Sequence, residues 1–371
     1  MKNDRLHILI AGGGTGGHLF PGIAIANAFA EKNPQNRILF AGTGKKVETA
    51  IVEHAGFPHR KVTAGGLKGM GFAARMGSVL KLPKGIGESV RIIQEFQPDL
   101  VIGVGGYSSG PVVVAAWLLR VKTVLHEQNR IPGIANRVLS LFADRICVSF
   151  PDSGQRGFPA FVRKSGRIRV TGNPVRREIL HMEEKSVRQD KRFTVLLTGG
   201  SQGAHRLNTV MMEILHHLKE PQKFHVIHQT GIQDETEVRQ AYGNAGISFE
   251  VRPFFTDMPI QYRDADLIIC RAGATTVAEI AAMGKPAIFI PFPYAADDHQ
   301  TVNARALVQA GAADMIAEKD LDASELAGKI EYYAENFQVL KKMAEKAKLF
   351  GKPDAAEQIV RVCRCLLTET N

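Results

Sequence analysis

Cysteine and tryptophan are scarce in this sequence. Its 371 residues include four cysteines and one tryptophan. The cysteines are Cys147, Cys270, Cys363 and Cys365. They are too few and too scattered for a disulfide framework or a CxxC metal site. Reduced thiols in a cytosolic protein are therefore expected.

Long uninterrupted apolar runs are missing as well. Residues 100–119 carry no charge, but this stretch contains Gly103, Gly105, Gly106 and Pro111. It therefore favours a strand, a glycine loop and a helix start over a membrane span. Near the N-terminus a glycine cluster follows the short apolar run 6–11, which argues against a secretory signal. A soluble chain is expected.

The charge of the chain is strongly uneven. The formal net charge is +10, from 47 Lys+Arg and 37 Asp+Glu. Residues 1–174 hold 23 basic and 10 acidic residues, and the remainder holds 24 and 27. The first half is thus expected to meet an anionic partner or surface.

Short apolar strands alternate with amphipathic helical stretches, a pattern typical of α/β folds with parallel sheets. Strands are predicted in the first half at His7–Ala11, Arg37–Ala41, Leu100–Val104, Thr123–His126 and Arg145–Ser149. A second series is predicted at Thr194–Thr198, Phe224–His228, Ile247–Val251, Leu267–Cys270 and Ala287–Ile290. Helical patterns fall at 18–32, 88–96 and 132–143, and from Asp322 to the end. A polar linker near 172–192 predicts two domains.

Three glycine turns follow predicted strands, at 12–17, 103–111 and 198–204. Glycines at such turns let the backbone approach a phosphate, and the following helix adds unpaired N–H groups. Gly12, Gly14 and Gly17 match the dinucleotide pattern, which also needs an acid about 20 residues on. The first carboxylate after the second strand is Glu48, so NAD or FAD is disfavoured. Another anion-binding loop is preferred, with a structural turn as the alternative.

Several longer motifs occur in a fixed order. They are GGTGGHLFPGIAIA (13–26), HEQN (126–129), GNPVR (172–176), GGSQGA (199–204) and GATTVAEIAAMGKPAIFIPFP (273–293), followed by DDHQTVNA. In this order they resemble the bacterial UDP-N-acetylglucosamine transferase family of peptidoglycan synthesis. The resemblance covers residues 6 to about 315 and is specific, because the motifs lie in both halves.

The resemblance implies a fold, a reaction and a domain plan. The fold is GT-B, in which two Rossmann-like α/β domains with parallel sheets face a central cleft. The reaction is an inverting transfer of GlcNAc from UDP-GlcNAc to undecaprenyl-pyrophosphoryl-MurNAc-pentapeptide (lipid I), giving lipid II and UDP. Residues 1–174 would form the acceptor and membrane-facing domain and residues 175–349 the UDP-GlcNAc domain. A C-terminal helix at 350–371 would pack back on the first domain.

The resemblance also implies donor contacts. Glu279 would accept both ribose hydroxyls, the backbone at Phe255 would read the uracil, and Gln300 would bind a sugar hydroxyl. Further implied UDP-GlcNAc contacts are Thr15, Gly16, Gly17, Asn129, Arg176, Ser201, Gln202, Ala274, Thr275, Thr276, Val277 and Ala278. The alternative for Glu279 is an acid favoured by the helix dipole, and the alternative for Phe255 is a core residue.

The acceptor side is predicted from the first half. Acceptor diphosphate contacts are expected at Gly13, Gly14, Gly105, Gly106 and Tyr107. His18 is the preferred general base, since an unperturbed histidine pKa of about 6.5 suits proton removal near neutral pH. Binding an acceptor phosphate or capping the helix are its alternatives. Glu127 is the second candidate base.

No cofactor and no essential metal are expected. A DxD pair, Asp264 and Asp266, precedes its strand and so would lie at the edge of the sheet opposite the glycine turns. It is interpreted as a solvated turn. Loop amides, helix dipoles and cationic side chains can stabilise the UDP leaving group instead.

A membrane patch is predicted at residues 60–91. Its basic residues are Arg60, Lys61, Lys68, Arg75, Lys81, Lys84 and Arg91, and its single acid is Glu88. Interleaved apolar residues are Met70, Phe72, Met76, Val79, Leu80 and Leu82. This mixture is typical of binding to anionic lipid, with a helix packed on the sheet as the alternative. Peripheral attachment to the cytoplasmic side of the inner membrane is expected, with cell-wall synthesis and division proteins as partners and no nucleic acid.

Three other functions compete with this interpretation. One is a different UDP-sugar enzyme, such as a diacylglycerol glycosyltransferase, although GGTGGH with HEQN favours lipid I. A nicotinamide-dependent oxidoreductase is disfavoured by the missing ribose carboxylate. A non-catalytic anionic-lipid-binding protein would leave the nucleotide loops unexplained.

Overall fold

The chain divides into two compact units. A computed structural model describes residues 5–14, 16–65, 81–154, 157–180, 192–200 and 202–369. The first unit comprises Met1–Arg177 and Lys352–Asn371, and the second comprises Glu178–Gly351. These boundaries fall shortly after the expected ones at 174 and 349, so Arg176 belongs to the first unit.

The first unit is built on a parallel sheet of seven strands in the order β3-β2-β1-β4-β5-β6-β7. The strands are β1 His7–Ala11, β2 Arg37–Gly42, β3 His59–Lys61, β4 Leu100–Gly103, β5 Lys122–Glu127, β6 Arg145–Val148 and β7 Ile168–Val170. Its helices are α1 Gly16–Lys32, α2 Lys46–His54, α3 Leu82–Phe96, α4 Ser109–Leu118, α5 Ile134–Leu139 and α6 Ala160–Lys164. A short helix, α7 Arg177–Leu180, spans the boundary between the two units in the sequence. A 3-10 turn lies at Pro151–Gly154.

The second unit repeats this plan with six parallel strands in the order β10-β9-β8-β11-β12-β13. They are β8 Phe193–Thr198, β9 Phe224–Gln229, β10 Ser248–Arg252, β11 Leu267–Cys270, β12 Ala287–Phe289 and β13 Asp314–Met315. Its helices are α8 His205–Ile214, α9 Glu235–Ala245, α10 Met258–Asp264, α11 Ala274–Met283, α12 His299–Gln309, α13 Ala323–Glu335 and α14 Phe337–Phe350. Single 3-10 turns lie at Pro221–Lys223, Ala296–Asp298 and Glu318–Asp320.

The last helix, α15, spans Ala355–Thr368 and belongs to the first unit. It packs against α1, and its Ile359 and Cys363 join the core formed by Ile8 and Ile10 of β1. The alternate residue Leu9 faces a second core on the other side of the sheet. Helices thus cover both faces of the sheet, which explains why its strands read as continuous apolar runs.

All ten predicted strands are confirmed, with ends that shift by a residue or two. The three strands that were not predicted are β3, β7 and β13, and each lies at an edge of its sheet. None of the described helices is long and apolar enough to cross a membrane.

The four cysteines differ sharply in accessibility. Cys147, Cys270 and Cys363 are buried, whereas Cys365 is exposed. Burial raises the pKa of the Cys147 thiol to about 12 and also raises the pKa of Cys363, which disfavours their reactive thiolates.

We therefore expect Ellman's reagent to modify only Cys365 in the folded chain and all four cysteines in denaturant. Absorbance of the released thiolate measures the number of reacted groups. The control variant Cys365→Ser should leave the folded chain unreactive. Rapid modification of that variant would contradict the buried placement of the other three.

Candidate active site

The first glycine loop connects β1 to α1. The Gly12 N–H donates to the Ala41 carbonyl at 3.1 Å, which ties the loop to β2. Gly14 has φ +98°, a backbone conformation that a side chain would strain. Gly16 and Gly17 form the start of α1, where the positive end of the helix dipole suits an anion. Thr15 lies outside the described residues.

The second glycine loop follows β4 and touches the first. A Cβ added to Gly106 would overlap the Gly13 carbonyl oxygen, so the two backbones meet without room for a side chain. A Cβ on Gly105 would lie 2.8 Å from His18 Nδ1. Tyr107 is 47% exposed beside them. The structure thus brings together the predicted acceptor residues Gly13, Gly14, Gly105, Gly106 and Tyr107.

A buried carboxylate, Glu48, supports the first loop from beneath. Its Oε2 accepts hydrogen bonds from the Gly14 N–H at 3.1 Å and the Thr43 hydroxyl at 2.8 Å. Its Oε1 lies 3.2 Å from Nε2 of His59. Burial disfavours the charged form, but the hydrogen bonds from His59, Thr43 and Gly14 outweigh it and lower the pKa of Glu48. From the sequence, Glu48 was noted only as the first carboxylate after β2, and its support of the glycine loop was not predicted.

His18 lies in the first turn of α1 and is half-buried. Its Nδ1 is 3.2 Å from the Val104 carbonyl oxygen and 3.3 Å from Oε1 of Gln128. Gln128 was not predicted as a site residue, although the HEQN motif contains it. The two glycine loops and the end of β5 therefore converge on the imidazole ring.

Glu127 ends β5 and is 1% exposed. Its Oε1 accepts the Asn129 backbone N–H at 2.8 Å, and its Oε2 accepts the Gly133 N–H at 3.0 Å and the Asn136 amide at 2.9 Å. Burial raises the pKa of Glu127, and these bonds act against that rise. The carboxyl group thus holds the loop after β5 and fixes Asn129.

The GNPVR segment also belongs to the first unit. Arg176 lies over the ring of Phe20, with its guanidinium carbon 4.6 Å from the ring centroid. Asn173 is 5% exposed, and its amide nitrogen and oxygen have no hydrogen-bond partner among the described residues. Because a buried amide without a partner is unfavourable, Asn173 is a candidate ligand contact that sequence reasoning missed.

In the second unit, the third glycine loop connects β8 to α8. Gln202 is exposed in this loop, and Ser201 lies outside the described residues. The buried Gln229 links the loop to its neighbour, because its amide donates to the Gly200 carbonyl at 2.9 Å and its oxygen accepts the Phe255 N–H at 2.9 Å. The Phe255 ring is 1% exposed and belongs to the core, so only its backbone is suited to contact a base.

The start of α11 carries six further predicted donor residues. The predicted contacts Ala274, Thr275, Thr276, Val277, Ala278 and Glu279 are its first six residues. Their first-turn amides lie at the positive end of the helix dipole. Glu279 is 3% exposed and lies in the second turn. A buried acid at that depth is not an ordinary solvated helix acid.

Gln300, in the first turn of α12, is held by the backbone of its own unit. Its side-chain oxygen accepts the Ala272 N–H at 3.2 Å and the Phe292 N–H at 2.9 Å. This arrangement joins the segments after β11 and β12. The carbonyl end of Gln300 is therefore committed to the fold, and a sugar hydroxyl would be left to its amide end.

The DxD pair lies at the amino end of β11, whereas α11 begins after the carboxyl end of that strand. Asp264 ends α10, and Asp266 precedes β11 and accepts the Thr194 N–H at 2.8 Å. Within the described part of the chain, no group of three or more histidine, cysteine or acidic residues could hold a metal ion. Asp266 therefore anchors the start of two strands.

Both halves of the chain match known domains. The glycosyltransferase family 28 N-terminal domain matches residues 8–148, and the family 28 C-terminal domain matches residues 194–359. A relative from Syntrophus aciditrophicus is named UDP-N-acetylglucosamine--N-acetylmuramyl-(pentapeptide) pyrophosphoryl-undecaprenol N-acetylglucosamine transferase. It is 44% identical over 98% of this chain and 99% of its own length. The chain belongs to this transferase family.

Other transferases and solved structures agree with this membership. The transferase of the same name from Myxococcus xanthus is 43% identical over 98% of this chain and 94% of its own. The crystal structure of Acinetobacter baumannii MurG covers 97% of this chain and 99% of its own, at 31% identity and a TM-score of 0.75. A UDP-N-acetylglucosamine 2-epimerase from Listeria monocytogenes, at 15% identity and a TM-score of 0.71, shares the fold. The expected GT-B class, with two parallel-sheet Rossmann-like domains, is confirmed.

We expect Glu48→Gln to destabilise this transferase by about 1–2 kcal/mol at pH 7, because it loses charge-assisted hydrogen bonds to the glycine loop. The folded-state pKa is lowered, so the stabilisation is present above the unfolded value of about 4.5. It is lost as the pH falls through the folded pKa, where wild type and variant should converge. Urea unfolding at several pH values measures this difference.

The matched control for this experiment is Glu53→Gln, which removes an exposed carboxylate from the same helix. Its stability should equal that of the wild type within about 0.5 kcal/mol. Equal stability of wild type and Glu48→Gln at pH 7 would show that the loop does not depend on this carboxylate.

Proposed function

We propose that this chain transfers GlcNAc from UDP-GlcNAc to lipid I, giving lipid II and UDP in peptidoglycan synthesis. The observation that carries this proposal is the 44% identity to the named transferases over 98% of the chain, across both units. The reaction requires a held diphosphate leaving group and an activated acceptor hydroxyl. In this proposal, residues at the carboxyl ends of the first unit's strands activate the acceptor, and those of the second unit hold the diphosphate.

The first unit binds the acceptor in this proposal. The loops at Gly13–Gly14 and Gly105–Gly106 adjoin next to the N-terminus of α1, where an anion is favoured, and Gly14 is exposed there. Tyr107 lies beside them, half exposed. The negatively charged Glu48 already accepts the Gly14 N–H, so the lipid diphosphate would contact other amides of the loop. Arg176 adds a positive charge within the same unit.

His18 acts as the general base in this proposal. It removes the proton of the MurNAc hydroxyl as that oxygen attacks the anomeric carbon, and a single displacement inverts the configuration. Glu127 is less suited to the task, because both of its oxygens already accept N–H groups. It acts through Asn129, whose position it fixes.

The second unit binds the donor in this proposal. The N-terminus of α11 stabilises the UDP diphosphate as negative charge develops on the leaving group. Glu279 accepts the ribose hydroxyls, the Phe255 backbone reads the uracil, and Gln300 binds a sugar hydroxyl. Gln202 and the α11 residues 274–278 line the phosphates.

The test is turnover of UDP-GlcNAc with a soluble lipid I analogue, followed by UDP release and by the disaccharide product. We expect His18→Ala to lower kcat about 10²–10⁴-fold, the usual contribution of a general base. His54→Ala, which changes an exposed histidine of the same unit, is the control and should retain activity. EDTA should not reduce the rate. UDP release with diacylglycerol but not with the lipid I analogue would refute the proposed acceptor.

We further propose that the first unit binds the cytoplasmic face of the inner membrane peripherally, where lipid I and proteins of cell-wall synthesis and division would meet it. Residues 66–80 of the predicted patch lie outside the described residues. Of its described basic residues, Lys84 and Arg91 are exposed on α3, which packs against α4, and Lys81 directly precedes that helix. Arg60 and Lys61 are exposed on β3.

An apolar surface lies on the neighbouring helices α4 and α5. Trp117 is 50% exposed, Leu118 is 55% exposed and Val138 is 52% exposed. The Trp117 ring packs edge-on against Phe142, with 5.1 Å between the ring centroids. Exposed apolar side chains next to basic residues support binding at a lipid interface.

We expect the double variant Trp117→Ser/Leu118→Ser to weaken co-sedimentation with phosphatidylglycerol vesicles roughly tenfold, because about 1.5 kcal/mol of apolar burial is lost. Binding should require anionic lipid and weaken with salt. Ile232→Ser is the control, since Ile232 is 87% exposed in the second unit. Equal binding of the wild type to neutral vesicles would refute an electrostatic contribution.

A further inference from the structure

Gln128 lies at the centre of a closed set of hydrogen bonds. It follows β5 and is 2% exposed. Its Nε2 is 2.6 Å from the Val104 carbonyl oxygen and 3.2 Å from Nδ1 of His126. Its Oε1 is 3.3 Å from Nδ1 of His18. Each of these four groups belongs to the first unit.

The direction of the Gln128 amide follows from its partners. A carbonyl oxygen can only accept, so the Val104 carbonyl requires the NH₂ end of the amide. The second N–H of that group then points to His126 Nδ1, which must accept. His126 can do so, because its burial lowers its pKa to about 4 and the ring is neutral at neutral pH. Its Nε2 carries the proton and donates to the Gly172 carbonyl at 3.3 Å.

The two acceptors at Nδ1, of which Gln128 Oε1 is one, determine which nitrogen of His18 is protonated. The Nδ1 atom of His18 lies 3.2 Å from the Val104 carbonyl and 3.3 Å from Gln128 Oε1, and both of these oxygens can only accept. Nδ1 must therefore donate. In a neutral imidazole the other nitrogen, Nε2, then holds the lone pair.

We propose that Gln128 is a positioning residue that fixes His18 in the tautomer protonated at Nδ1, so that Nε2 is the atom that removes the acceptor proton. The part concerning the acceptor rests on the proposed function. The O–H bond of the MurNAc hydroxyl breaks as its proton moves to Nε2, and the oxygen forms the new bond to the anomeric carbon. The bond from that carbon to UDP breaks, and its electron pair leaves with UDP.

A glutamine suits this role for an electrostatic reason. A carboxylate at the same position would also accept from Nδ1, but it would stabilise the imidazolium and raise the pKa of His18. It would also repel the Val104 carbonyl. The neutral amide holds the ring in place without raising the pKa of His18. The imidazole is therefore not kept protonated near neutral pH by this neighbour. Gly105 leaves the space that the ring needs against the loop.

The first experiment measures the tautomer directly. Full-length protein labelled with ¹⁵N-histidine is studied by two-bond ¹H–¹⁵N correlation, and His18→Ala assigns the signals of His18. At a pH where the His18 ring is neutral, we expect the wild type to show Nδ1 protonated. Gln128→Met keeps the Val104 carbonyl as an acceptor but loses Oε1, so we expect a smaller Nδ1-protonated fraction. An Nε2-protonated His18 in the wild type, or an unchanged tautomer in Gln128→Met, would overturn the proposal.

The second experiment measures the kinetic consequence. Gln128→Met should lower kcat roughly 10- to 100-fold, part of the 10²–10⁴-fold effect of a general base, and should leave the KM for UDP-GlcNAc within about twofold. Asp144→Asn is the matched control. It replaces the half-buried carboxylate that accepts the Thr123 N–H at the other end of β5, a bond of 2.7 Å, with a neutral amide, and should lower stability without changing kcat. A kcat within about twofold of the wild type in Gln128→Met would overturn the kinetic role.

Gln128→Glu gives a second variant that keeps the size of the side chain and covers the case in which Gln128→Met does not fold. The carboxylate should raise the pKa of His18 by about 1–3 units in the NMR titration, with His126 as the neighbouring titratable group. An unshifted His18 would mean that residue 128 does not act on Nδ1. These spectra require no substrate, so they test the positioning role even if lipid I proves not to be the acceptor.

Discussion

The parallel pairing of β1 with β4 is the constraint on which the candidate site of the first unit depends. The order of the first sheet reverses between these two strands, and Ala11 pairs with Gly103 at their ends. The loops that follow must then run side by side, and where Gly106 meets Gly13 there is no room for a side chain. The second sheet has the same reversal between β8 and β11, with Thr198 opposite Cys270. Ligands of open α/β sheets bind at such positions, and each unit carries its glycine turn there.

Buried polar groups hold these turns in place. In the first unit Glu48, Glu127 and Gln128 each accept or donate bonds to the backbone of a loop at the carboxyl edge. Gln229 does the same in the second unit. Every such bond reduces the number of loop conformations before substrate arrives. An active site built from backbone amides gains from this, since amides have no rotamers to adjust and must be placed by the fold.

Much of the fold could be predicted from the sequence, because strands buried on both faces are apolar throughout. The strands that were not predicted fail this condition. β3 is the polar tripeptide His59–Lys61, β7 also has three residues and β13 has two. Each lies at an edge of its sheet and pairs with one neighbouring strand. The motif residues of the candidate site could be found, but their supports could not. Glu48 and His59 are distant in sequence from the loop; α2 carries Glu48 to it, and the pairing of β3 with β2 places His59 beside Glu48. Phe255 shows the reverse case, in which a motif position contributes its backbone while its ring fills the core.

The return of α15 to the first unit affects the order in which the chain can fold during synthesis. The second unit, Glu178–Gly351, is continuous and complete as soon as Gly351 leaves the ribosome. The first unit is not, because Ile359 and Cys363 fill its core against α1 and are made last. Until then the apolar side of α1 lacks its cover, although most of its domain was translated first. The larger and more basic unit is therefore completed after the second one, and the apolar side of α1 stays without this cover while the whole second unit is being made.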